Sequence, residues 1–194
     1  MQFSKMHCLG SDFMVVDAIT QNVFFSDELI RRLACRKTGV GFDELVLVEP
    51  PYDPELDFHY RQFNHTGKEH AFCAEGAVCL GQFVTQKGLT GKKRIQLGTS
   101  TGKAELTVDN ERQVSVAQRT PLFEPNKIPF RAAKTEKTYI LRVEETTFFC
   151  GVVNVNGPYC VLPVQDIEQA EVDKVGAMLA AYDRFPEQTS TCFM

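Results

Sequence analysis

The stretch "CAEGAVCLGQFVTQKG" (73–88) constrains the fold more than any other part of the chain, because a helix there would carry Ala74, Gly76, Ala77 and Gly81 beside Val78, Cys79 and Phe83. A helix with no broad polar face has to be buried, and small side chains let neighbouring backbone approach it closely. The pattern predicts a helix that starts just after Cys73, ends near Gly88 and is enclosed by strands, with Cys79 in the core. Cys73 falls at its N-terminus, where free amides and the helix dipole favour a thiolate. Two readings of Cys73 follow: a general base, or a small residue kept by packing.

Strands to enclose such a helix are available. "DFMVVDA" (12–18), "ELVLVE" (44–49) and "LDFHYRQF" (56–63) have strand character, the last alternating Leu56, Phe58 and Tyr60 against Asp57, His59 and Arg61. A meander is predicted over 93–99, 103–109 and 112–118. Ser26 before "DELIRRLA" predicts a capped amphipathic helix with acid in its first turn. Pro121, Pro125 and Pro129 in "RTPLFEPNKIPF" (119–130) mark the best candidate linker. Beyond it, strands are expected at 138–144, 147–155 and 159–164, then a helix from about Asp166 to Tyr182. Domains 1–118 and 119–194 are therefore expected, and the second is thin for an independent core. An incomplete second domain would leave a strand edge and apolar surface open, predicting a homo-oligomer or a protein partner at that edge. Phe13, Phe24, Phe25, Phe148 and Phe149 are read as core and sheet packing.

The remaining features exclude more than they assign. Net charge is -4 across 194 residues, with no basic run, so nucleic acid is not expected as a partner. No stretch is long and apolar enough to cross a membrane, and "MQFSKMHCLG" lacks a signal-peptide pattern, so a cytoplasmic protein is expected. The seven cysteines are odd in number and form no C-x-x-C pair, so most are expected to be reduced and buried. His7, His59, His65 and His70 fit no ligand spacing and are read as surface residues, leaving no metal site.

Several blocks in order resemble diaminopimelate epimerase. "MQFSKMHCLGSDFMVVDA" is similar to the family's K-M-x-G-x-G-N-D-F opening, "VGFDELVLVEPPYDPELDFHYRQFN" to its next block, and "FCAEGAVC" to C-G-N-G-x-R-C. "CGVVNVNGPYCV" resembles the stretch ending G-N-P-H, and "RFPEQTSTCFM" resembles R-F-P-x-x-x-N-x-x-F. The resemblance implies an α/β (α+β) fold of two pseudo-symmetric domains, each with mostly antiparallel strands wrapped around a central helix, the second domain incomplete here. It also implies epimerisation of LL- to meso-diaminopimelate in lysine biosynthesis without pyridoxal phosphate, metal or other cofactor. In that chemistry one cysteine removes the α-proton and another supplies one from the opposite face.

Carried over residue by residue, Cys73 corresponds to the first catalytic cysteine and Asn64 to a substrate-binding asparagine. Ser11 stands at another binding asparagine and Glu44 at a neutral glutamine. Ala74 and Glu75 replace Gly-Asn ahead of Gly76. Asn156, Gly157, Pro158 and Tyr159 replace G-N-P-H, and Ser190 replaces a further binding asparagine. The family's E-R-G and C-G-S-G motifs, with the second cysteine, have no counterpart, and Cys192 does not match it. Glu75 would repel a substrate carboxylate and hold the proton on Cys73. Three expectations follow: a silent epimerase-like protein that binds an amino-acid ligand or another chain, an active epimerase with Cys73 as base, or a decayed product with little stable structure.

Overall fold

The computed structural model describes residues 1–194 except Ala71, Gln118, Arg119 and Asn156. The chain forms two compact units, Met1–Gln118 and Arg119–Met194.

The first unit is a seven-stranded sheet in sequential order: β1 (Ser4–Cys8), β2 (Ser11–Asp17), β3 (Glu44–Glu49), β4 (Phe58–Asn64), β5 (Arg94–Thr99), β6 (Gly102–Val108) and β7 (Val114–Val116). β1 and β2 form a hairpin, and α1 (Asp27–Ala34) carries the chain across to β3, which runs parallel to β2. β4 pairs antiparallel with β3; α2 (Ala74–Gln86) then leads to β5, parallel to β4. Alternation splits the side chains between two cores. Phe13, Val15, Val46, Val48, Phe58 and Tyr60 pack around α2, while Met14, Val16, Leu45, Leu47 and Phe63 pack around Ile30 and Ala34 of α1. Burial on both faces explains why β2 and β3 are continuous apolar runs rather than alternating ones.

Each helix has a local cause. Ser26 caps α1 by accepting from the Leu29 N–H at 3.2 Å, with Asp27 and Glu28 in the first turn. In α2 the residues Gly76, Ala77, Cys79, Leu80, Gly81, Phe83 and Val84 are all buried. A Cβ on Gly81 would sit 2.8 Å from Val114 Cγ1 and 3.1 Å from Leu106 Cδ1, so β6 and β7 close over the helix only because that side chain is missing.

The second unit is a four-stranded sheet in the order β11-β10-β9-β8, built from β8 (Tyr139–Val143), β9 (Thr146–Asn154), β10 (Pro158–Leu162) and β11 (Ser190–Phe193). α3 (Val172–Ala180) connects β10 to the parallel β11, repeating the strand–helix–strand step made by β2, α1 and β3. Its core gathers Leu141, Cys150, Val152, Cys160, Leu162, Leu179 and Phe185.

Several expectations need correction. β1 and β11 were not anticipated as strands. The candidate linker is folded: Pro125–Lys127 is a 3-10 turn, Leu122 bridges Asn154, and Ile128 and Phe130 are buried in the second core. Prolines there break backbone regularity without preventing side-chain burial. α3 starts at Val172 rather than near Asp166, and Glu171 gives it no side-chain cap. Phe24 and Phe149 are 85% and 57% exposed, so neither is core. All seven cysteines are free, but only Cys79, Cys150 and Cys160 are buried; Cys35 and Cys192 are exposed. No helix among the described residues is long and apolar enough to cross a membrane.

Candidate active site

Cys73 is the N-cap of α2, with extended backbone (φ -119°, ψ 147°), and its sulfur accepts from the Gly76 N–H at 3.3 Å. A capping position is usually filled by an oxygen-bearing side chain. Here a thiol receives one of the free amides of the first turn.

Beneath the sulfur lie two buried polar side chains from β4. Tyr60 donates its hydroxyl to Gln62 Oε1, and the two residues are 2% and 1% exposed. These groups converge on Gly76: a Cβ there would run into the Tyr60 hydroxyl and lie 2.8 Å from Gln62 Oε1 and 3.4 Å from Cys73 Sγ.

Opposing influences act on the thiol. Burial pushes Cys73 above its ordinary range, the Gly76 amide and Gln62 pull it down, and the nearby Glu75 carboxylate pushes it up. The net direction is up, so Cys73 holds its proton near neutral pH. Glu75 likewise acts on Cys8, whose thiol is raised by burial first and by that carboxylate second. Tyr60 is pushed well up by burial, then by Cys73 and, more weakly, Glu44.

The other predicted residues of the first unit have partners of their own. Glu44 pairs in register with Asn64, and its Oε2 lies 2.7 Å from His70 Nε2. His70 is thus half-buried and partnered, not the free surface histidine expected. His59 is similarly no plain surface residue; its ring meets Tyr52 edge-on at 4.9 Å. Asn64 Oδ1 accepts from the Thr66 N–H and hydroxyl (3.0 and 2.7 Å) and from the Lys68 N–H (3.1 Å), closing the loop after β4. Ser11 begins β2, directly opposite Cys8. Ala74 and Glu75 form the first turn of α2.

In the second unit, Gly157, Tyr159 and Ser190 line one cavity of about 270 Å³ with Pro158, Glu187, Gln188 and Thr189. Thr189 Oγ1 donates to the Pro158 carbonyl at 3.1 Å, and Gln188 holds the left-handed conformation (φ 64°) that turns the chain into β11. Asn156, named with this group, lies outside the described residues. Among the described residues no three or more His, Cys, Asp or Glu gather as metal ligands.

Residues 3–121, more than half of the chain, match the family model described as diaminopimelate epimerase. The chain belongs to the diaminopimelate epimerase family. Among solved structures it is similar to a hydroxyproline epimerase from Agrobacterium vitis with bound trans-4-hydroxy-L-proline (TM-score 0.58, 13% identity, 87% of this chain and 53% of that one). It is also similar to a probable proline racemase from Agrobacterium radiobacter with bound carbonate (TM-score 0.59, 16% identity, 92% and 56%). A PhzF-family phenazine biosynthesis protein from Bacillus anthracis is a third (TM-score 0.51, 17% identity, 86% and 55%). At these identities the likeness is one of fold, the mixed α/β architecture of this family and its relatives. The chain spans about half the length of each of these three structures.

Sequence reasoning did not single out Tyr60 and Gln62 as site residues, although one signal was present. Gln62 continues the inward alternation of Phe58 and Tyr60, so a polar amide stands where an apolar side chain belongs.

Proposed function

We propose that this member of the family is an epimerase-like protein whose epimerase activity is lost or severely impaired, and that it uses the fold to bind a small amino-acid ligand or another chain in the cytoplasm. The observation carrying this reading is Glu75. It places a carboxylate in the first turn of α2, beside a thiol that burial already holds protonated. Proton abstraction needs the thiolate, and an incoming α-carboxylate needs the free amides; Glu75 opposes both.

A second reading has a specific support. The Gly76 amide donates to the Cys73 sulfur at 3.3 Å, as it would to a working thiolate. In that case Cys73 is the base of a cofactor-independent epimerase converting LL- to meso-diaminopimelate in lysine biosynthesis.

Incubation with LL-diaminopimelate in D2O separates the two. The first reading expects no α-deuteration or meso product, or no more than a trace of either. Turnover comparable to that of a two-cysteine epimerase, and lost in Cys73→Ala, refutes it and supports the second. For self-association, Ile140 and Phe149 face each other across β8 and β9 and are 52% and 57% exposed. Light scattering is expected to give a defined oligomer that Phe149→Lys dissociates; a monomer at all concentrations refutes this part.

A further inference from the structure

We propose that a cavity at the other end of β3 and β4 from Glu44 and Asn64 binds a small organic cation, an alkyl- or arylammonium, whose nitrogen bridges Glu49 and His59 while its apolar part lies against Tyr52. The site is separate from the thiol and independent of what Cys73 does.

Strand register builds the floor. Leu45 and Leu47 of β3 and Phe63 of β4 pack on the side of the sheet that carries α1, and alternation puts Glu49, His59 and Arg61 on that same side. Glu49 and His59 stand directly opposite each other in the antiparallel pair, which sets their Cβ atoms about 4.5–5.5 Å apart. Glu44 and Asn64 pair at the other end of the same strands, about 16 Å away. Above the floor lies a cavity of about 790 Å³, walled by the 18–23 loop, Pro50 and Tyr52, a volume suited to a small ligand. The loop is held in shape by its own bonds. Asp17 Oδ1 accepts from the Ile19 and Thr20 N–H groups at 2.8 and 3.0 Å, and the Gln21 side chain exchanges hydrogen bonds with the Gln2 backbone at 2.7 and 3.0 Å.

Three features call for a cation. Two carboxylates share one guanidinium: Arg61 meets Glu69 through both Nε and Nη2, at 3.0 and 2.7 Å, and reaches Glu49 through Nη1 at 3.3 Å. Glu49 therefore lines the cavity with its charge only partly compensated. None of the residues lining it is Lys or Arg, so an anion would find no cationic side chain there. His59 Nδ1 is buried without a hydrogen-bond partner; with the ring proton on Nε2 it is an acceptor, and leaving a buried acceptor unpaired is costly. An ammonium N–H supplies the missing donor while its charge meets Glu49. Tyr52 stands beside both. Its ring rests on Gly98, where a Cβ would lie 2.7 Å from Tyr52 Cε1, and meets the His59 ring edge-on at 4.9 Å. Being 64% exposed, the ring is free to swing aside and then cover the bound nitrogen, since cations favour an aromatic face.

The test is isothermal titration calorimetry of the full chain with 2-phenylethylammonium, and with 3-phenylpropionate as a probe of similar size and opposite charge. Saturable binding of the ammonium is expected, and none of the carboxylate. Glu49→Gln should weaken binding at least about tenfold. His59→Phe, which keeps a flat ring without the acceptor, should weaken it about three- to tenfold. Raising salt from about 0.05 to 0.5 M should cost the wild type more affinity than Glu49→Gln. In two-dimensional amide NMR spectra, residues 18–23 and 49–59 should shift while 73–76 stay fixed. If Glu49→Gln fails to fold, Tyr52→Ala, at a mostly exposed side chain, carries the test and should weaken binding several-fold. No saturable binding, equal binding of the carboxylate, folded variants that bind as the wild type does, or shifts confined to 73–76 overturn the proposal. Epimerase turnover, present or absent, bears on none of these outcomes.

Discussion

Gly76→Ala is the sharpest perturbation of this site, because the ordinary expectation and the structural one have opposite signs. Alanine in a helix interior is favoured over glycine by about 1 kcal/mol. At Gly76 the new methyl would run into the Tyr60 hydroxyl and sit 2.8 Å from Gln62 Oε1, both on fully buried side chains anchored in β4. Overpacking a filled site costs about 1–3 kcal/mol, and parting the Tyr60–Gln62 hydrogen bond leaves buried polar groups unsatisfied at about 1–3 kcal/mol each. After the helix gain is subtracted, a net destabilisation of at least about 2 kcal/mol remains, which lowers a urea midpoint by roughly 1 M or more at an unchanged slope. The assay is urea unfolding followed by far-ultraviolet circular dichroism. Gly176→Ala in α3 is the internal control: nothing lies within 4 Å of its Cβ position, so the same substitution should be neutral or stabilising by up to about 1 kcal/mol. Adding Tyr60→Phe to Gly76→Ala removes the nearest contact and should restore part of the loss. A Gly76→Ala protein as stable as wild type, or more so, refutes the convergence of Tyr60, Gln62 and Cys73 on this point.

Three further outcomes follow from named contacts. Glu75→Gln removes the charge that opposes the thiolate, so the Cys73 alkylation midpoint should fall by about half a unit to one unit, while α2 loses the roughly 0.3–1 kcal/mol of a first-turn acid; an upward shift would contradict the stated role of Glu75. Burial pushes the Cys79 thiol up to about 12, so the stability it contributes is complete below its unfolded value near 9 and is lost as pH rises toward 12; by pH 11 the deficit is about 2–3 kcal/mol. Cys79→Ala should flatten that alkaline decline in urea titrations run between pH 8 and 11. Arg184 lies with its guanidinium carbon 4.5 Å over the Phe130 ring and donates to the carbonyls of Arg131 at 2.7 Å and Ile140 at 3.3 Å. Arg184→Ala should cost about 1–3 kcal/mol, and Arg184→Lys should recover less than half, since an ammonium cannot span both carbonyls; full recovery by lysine would show that charge alone matters.

The fold was legible where one local pattern sufficed. The alternation of "LDFHYRQF", the Ser26 cap and the small residues of α2 each specify an element through their own neighbours. β1 and β11 were not legible because they have only five and four residues, with alternate positions exposed. Their strand character comes from pairing with β2 and β10. The folding of 119–130 was hidden for a related reason: proline reports on backbone hydrogen bonding, whereas Ile128 and Phe130 are held by side-chain contacts within the second core, among them Phe130 with Tyr139 of β8. In the site, Cys73 and Glu75 announced themselves by position on a helix. The Glu44–His70 contact joins residues 26 apart and left no local trace.

What remains is why a family thiol should be kept with Glu75 beside it. The free amides at the start of α2 are a limited resource, and in this first turn the Gly76 N–H is committed to the Cys73 sulfur. The positive end of the helix favours any nearby anion, whether thiolate, substrate carboxylate or side chain. Glu75 is an anion already present at full effective concentration, so it gains that stabilisation permanently while the others must compete with it. The same charge that steadies α2 therefore keeps Cys73 a thiol, against the pull of Gly76 and Gln62. Opposing influences meet on one thiol, and burial together with the carboxylate prevails. The balance turns on side chains at the mouth of the helix rather than on the fold, which is why changing Glu75 should alter the chemistry of Cys73 while leaving both cores of the first unit intact.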